Sequence, residues 1–85
     1  MANYNIFFKR SAVKDLDSIP KKDLRHIIDR IESLQDDPRP PGCEKLVGQN
    51  RYRIRQGNYR IVYSIQDQEL TVSIVKVGLR RDIYR

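Results

Sequence analysis

The sequence predicts an α+β domain of order β-α-α-β-β-β. An N-terminal helical hairpin packs on a small antiparallel sheet, and a short C-terminal tail or helical turn follows. Three observations carry this reading. Residues 4–8 (YNIFF) are aromatic and β-branched, which suits a half-buried strand. Residues 11–35 place their apolar side chains at helical spacing, in two runs parted by Pro20. Residues 51–56, 59–66 and 70–77 are strand-like runs parted by turn signals. Helices grouped ahead of consecutive hairpin strands make the pattern of helices layered on one sheet.

The first helix, 11–19, carries Ala12, Val13, Leu16 and Ile19 on one side, with Ser11 as its N-cap. Pro20 ends it and suits the first turn of the next. In 21–35 the apolar residues Leu24, Ile27, Ile28, Ile31 and Leu34 form one amphipathic stripe, assigned to the core. Residues 36–42 (DDPRPPG) hold three prolines, which exclude helix and central strand and leave a stiff loop. Gly57-Asn58 reads as a two-residue turn of the primed type, and Asp67-Gln68 marks the next turn. Gly78 is expected to stop the last strand, leaving 79–85 as the tail. Tyr59 and Tyr63 are assigned to packing, His26 to the surface and Cys43 to a partly buried position.

At 85 residues the chain is read as one domain, 1–85, with a small but sufficient core. No run approaches the apolar length of a membrane span. The first residues lack the charged and apolar regions of a secretory signal, and the one cysteine has no internal partner, so a cytoplasmic location is expected. One histidine and one cysteine make a zinc site improbable, and no glycine-rich nucleotide fingerprint is present; no cofactor and no metal are expected.

Charge is the informative feature. Residues 1–42 carry 8 basic and 7 acidic groups, whereas residues 43–85 carry 9 and 4, so the net +6 lies almost wholly in the second half. Arginine outnumbers lysine 11 to 6, which favours phosphate recognition through the guanidinium fork. Arg51, Arg53 and Arg55 alternate on one face of a strand while Tyr52 and Ile54 take the other. Whether Arg60 on the next strand shares that face depends on register, and an ion pair with Asp67 or Glu69 is the alternative for it. Arg80, Arg81, Tyr84 and Arg85 follow the last strand, and a meander brings them toward the start of the strand before. Seven arginines and a tyrosine then line one groove, with no carboxylate pair, no histidine and no metal-ligand set. RNA brings its own nucleophile, the 2′-OH, so such a groove has to supply geometry and stabilise charge on the phosphorane.

The runs YRIR (52–55), GNYRIVY (57–63) and VGLRRDIYR (77–85) resemble the RelE/ParE toxin superfamily, and the likeness extends over nearly the whole chain. The resemblance implies a toxin of a type II toxin–antitoxin module, either a ribosome-dependent, metal-independent mRNA endoribonuclease or a ParE-like inhibitor of DNA gyrase. It implies Arg60, Arg80, Arg81 and Tyr84 as the catalytic set. Arg60 would contact phosphate and stabilise the transition state. Arg80 or Arg81 would share that work or protonate the leaving group, and Tyr84 would stack on or activate the scissile nucleotide. Arg51, Arg53, Arg55 and Arg85 would bind RNA. Two departures stand out. Arg53 and Arg55 occupy positions that are lysines in the best-studied branch, and arginine does not give up its proton. Leu79 stands where many relatives have a histidine, a natural acid/base. They keep open a third reading, a weakened toxin that acts with its antitoxin as a DNA-binding autorepressor. The implied partners are an acidic RelB-like antitoxin, the ribosome and mRNA, and operator DNA through the antitoxin complex, with no membrane.

Overall fold

The computed structural model describes residues 3–80. The elements are β1 (Asn5–Phe8), α1 (Arg10–Asp17), α2 (Lys21–Glu32) with a 3₁₀ turn at Ser33–Gln35, β2 (Glu44–Lys45), β3 (Tyr52–Gln56), β4 (Tyr59–Gln66) and β5 (Thr71–Leu79). The strands make one sheet in the order β1-β5-β4-β3-β2. Pairing is antiparallel throughout except for β1, which lies parallel to β5. The α+β class and the expected helices and longer strands are present, β2 is an addition that the sequence did not reveal, and the expected tail or helical turn lies outside the described residues beyond Arg80. No described helix is long and apolar enough to cross a membrane.

The helices cover one face of the sheet. Ile27, Ile31 and Leu34 from the α2 stripe are fully buried with Ile54, Ile61, Tyr63, Val72, Ile74 and Val77 from the strands. Alternation along each strand sends the intervening residues to the other face. The proline loop is held from within the core: the Tyr63 hydroxyl donates to the Pro38 carbonyl at 2.8 Å and lies 3.2 Å from Cys43 Sγ. Burial, then the Cys43 contact, pushes the Tyr63 phenol well above its ordinary value of 10.0. Tyr52 stacks on Tyr63 with ring centroids 5.9 Å apart, and Arg39 lies over Tyr52.

Three local expectations are corrected. Ser11 does not cap α1; Lys9 holds the N-cap position and makes no side-chain cap bond. Val13 is exposed rather than core, because α1 is only eight residues long and meets the sheet along one side. Gly78 does not stop β5, which runs through it to Leu79 because both residues still pair with β4.

What Ser11 does instead matters for the site. The Lys9 N–H donates to the Ile74 carbonyl at 2.9 Å, and the chain then leaves the sheet for α1. The edge of β5 beyond Ile74 has lost its strand neighbour. Ser11 Oγ donates to the Val75 carbonyl at 2.7 Å, and the Asp15 carboxylate accepts the Val77 N–H at 2.9 Å. Ser11 and Asp15 are one helical turn apart, so one face of α1 replaces the missing ladder. Val75 is also the residue left over in the β4–β5 register, where Val62 faces Lys76 and Tyr63 faces Ile74. Such a bulge twists the strand, and α1 grips it there.

Candidate functional site

The face of the sheet away from the helices gathers the arginines. In the β3–β4 register Arg55 pairs with Arg60 and Arg53 with Val62, so Arg60 stands on the face of Arg53 and Arg55. The tight turn sets this register: Gly57 has a φ of 60° and Asn58 does not enter the left-handed region, the type II′ arrangement whose twist suits a hairpin. In the β4–β5 register Arg60 pairs with Gly78, which adds no side chain to that face. The Arg80 N–H donates to the Asn58 carbonyl at 2.8 Å, tying the end of β5 to the hairpin turn.

Arg60 is 2 % exposed, which is unusual for a guanidinium. Burial lowers its pKa first, followed by the charges of Arg53, Arg55 and Arg80, while Glu44 acts in the opposite sense. An arginine keeps its proton at neutral pH regardless. The consequence is a strongly positive field over a small area of the sheet, which an anion bound there would relieve.

The four expected residues Arg53, Arg55, Arg60 and Arg80 therefore come together. Arg51 stands one residue before β3, exposed, with its carbonyl accepting the Leu46 N–H at 2.8 Å. Arg81, Tyr84 and Arg85 lie outside the described residues. The ion-pair alternative for Arg60 fails for Asp67, which is engaged elsewhere: it accepts from Arg39 at 2.9 and 3.2 Å and from the Tyr4 hydroxyl at 2.7 Å.

Sequence reasoning missed Glu44. It pairs with Arg53 across β2–β3, and its carboxylate accepts from Arg53 Nε and Nη2, both at 3.3 Å. Arg53 first, then Arg55 and Arg60, hold the Glu44 carboxyl below the ordinary carboxylate value. The signal available was weak, since Gly48-Gln49-Asn50 suggests a turn but a two-residue strand has no readable period.

The register also places position 79. Leu79 pairs with Tyr59 and lines a shallow cleft with Asp23, His26 and Asn58. It alternates with Gly78 and so faces away from the arginines. A histidine at 79 would stand beside Tyr59, whose hydroxyl donates to Asp23 at 3.1 Å, and not beside Arg60. Leu79 therefore removes no acid/base group from the arginine face.

Comparison with known proteins agrees with this architecture. The family model described as the ParE toxin of type II toxin–antitoxin systems matches residues 6–84. Toxin RelG of Mycobacterium tuberculosis is 33 % identical, with 96 % of this chain and 97 % of the relative covered. Among solved structures, the RelBE2 toxin–antitoxin complex of M. tuberculosis superposes with a TM-score of 0.82 at 27 % identity, covering 92 % of this chain and 99 % of the other. The archaeal RelE–RelB complex of Pyrococcus horikoshii gives 0.81 at 30 % identity, covering 94 % and 97 %.

Proposed function

The chain belongs to the ParE toxin family of type II toxin–antitoxin systems, and from that premise we propose that it is a ribosome-dependent, metal-independent mRNA endoribonuclease. The observation that supports this reading is the burial of Arg60 on the sheet face among Arg53, Arg55 and Arg80. A face of this kind suits a reaction in which negative charge builds on phosphorus. The substrate's 2′-oxygen attacks the adjacent phosphorus as its proton passes to solvent, the phosphorane gains charge, and the P–O5′ bond breaks as the 5′-oxygen takes a proton from solvent, leaving a 2′,3′-cyclic phosphate and a 5′-hydroxyl. Arg60 and Arg80 stabilise that charge, with Arg53 and Arg55 holding the flanking backbone. In this reading Arg81 and Tyr84 complete the catalytic set, and Arg51 and Arg85 extend the contact with RNA.

The described cluster offers arginines and one carboxylate, a poor set for moving protons. The ribosome therefore supplies the alignment that a weak free nuclease lacks. A cognate RelB-like antitoxin is the natural silencer, as the RelB–RelE complexes among the similar structures suggest, and operator DNA is reached through it.

Cell-free translation tests the reading. Adding the protein should produce cuts in mRNA at ribosome positions, and Arg60→Ala should abolish them while the protein stays folded. Intact mRNA on stalled ribosomes would refute it. Inhibition of gyrase supercoiling by the same preparation would favour the gyrase-directed alternative.

A further inference from the structure

We propose that the Glu44 carboxylate is a built-in occupant of the phosphate seat made by Arg53, Arg55 and Arg60, and that an incoming RNA phosphate must displace it. The proposal rests on the reading of this face as an RNA site and concerns how that site is kept closed to the wrong anions.

The placement follows from β2. Its two residues alternate: Lys45 turns toward the Tyr52 ring, with Nζ 6.0 Å from the centroid, and Glu44 turns to the arginine face. Glu44 presents both carboxylate oxygens to Arg53, the fork that a phosphate would use. Its charge also acts on Arg55 and Arg60, so it serves the same three cations that a phosphodiester would serve.

Exposure sets how easily it leaves. The Glu44 side chain is 53 % exposed, against 19 % for Arg53. The guanidinium is thus held in place while the carboxylate stands toward water. Exposed pairs of this kind are weak, so a well-placed phosphate wins the exchange. A loosely placed one does not, because it gains little over the resident carboxylate. Glu44 therefore costs affinity for any polyanion and raises the demand for correct geometry.

Binding by the full chain tests this, with two probes: a 2′-O-methylated single-stranded RNA, which lacks the nucleophile, and inorganic pyrophosphate. Glu44→Gln should bind both about fivefold more tightly. Its RNA affinity should also depend more steeply on salt, by a slope of about 0.7, since one more arginine now neutralises a phosphate rather than a carboxylate. Glu44→Asp should stay near the parent. In an Arg53→Gln background the gain should vanish. Glu44→Ala repeats the test if the Gln variant folds poorly.

Unchanged or weaker pyrophosphate binding by both variants would overturn the proposal. So would a gain that survives in Arg53→Gln, because the effect would then be diffuse charge. Unchanged binding with loss of cleavage would make Glu44 a proton-transfer group and would also overturn it. Tighter pyrophosphate binding with no RNA binding by any variant would uphold the seat and refute the RNA reading.

Discussion

Replacing Asp15 by alanine probes how α1 holds the strand that ends at the arginine face. Asp15 accepts the Val77 N–H at 2.9 Å, and Val77 is 2 % exposed, so water does not take over the bond. A hydrogen bond to a charged acceptor contributes about 1.5–3 kcal/mol, and an abandoned buried donor falls in the same range, so Asp15→Ala should cost about 2 kcal/mol. Ser11→Ala removes a neutral, exposed bond to Val75 and should cost about 0.5–1 kcal/mol. A chain of 85 residues has roughly 4–13 kcal/mol of stability, so the Asp15 variant stays mostly folded. Its melting point should fall by roughly 8–16 °C, given about 4–8 °C per kcal/mol at this size. Urea unfolding followed by circular dichroism measures the loss, and Asp15→Asn, which keeps an acceptor oxygen, should recover part of it. Because Val77 leads directly to Gly78 and Arg80, mRNA cleavage should weaken well below the melting point. A loss under about 0.5 kcal/mol for Asp15→Ala would refute the idea that α1 substitutes for a strand there.

Two further outcomes follow from the packing. Leu79→His should leave mRNA cleavage within about twofold of the parent, because position 79 alternates away from Arg60; a large gain in cell-free translation would contradict this. Tyr63→Phe should lower stability by about 1 kcal/mol through loss of the bond to Pro38. In the parent chain the raised Tyr63 phenol contributes stability that is whole below its ordinary value of 10.0 and is lost as pH rises toward the folded value. The Phe variant should show a shallower alkaline decline in urea midpoints, and identical declines would argue against a tyrosine origin.

The sequence showed the arginine alternation because a strand has a period of two, and Arg53 and Arg55 required nothing more. Arg60 was different. Its face depended on the hairpin register, and only the observed pairing with Arg55 decided it. The apolar stripe of α2 was legible from 3.6-residue spacing, and its deepest members are indeed Ile27, Ile31 and Leu34. The Ser11 hydroxyl was misread because a serine at a helix start offers the same signal whether it caps its own backbone or reaches another strand. Glu44 and the leftover Val75 were invisible for a related reason, since both acquire their roles from partners distant in sequence. The parallel pairing of β1 with β5 belongs to the same class, because a strand's propensity says nothing about its neighbour.

That pairing has a consequence for the order in which the molecule comes into being. Asn5 meets Thr71, 66 residues further along the chain. Such long-range pairing is slow to form, because a long loop has to close before the contacts can repay it. A nascent chain that has completed β4 but not β5 has no neighbour for β1 and no edge for Ser11 and Asp15 to grip. It also lacks Gly78 beside Arg60 and Arg80 at the turn. The growing polypeptide thus carries the arginines of its cationic face without the face. The face is complete only after β5 has emerged, a delay written into the strand order itself.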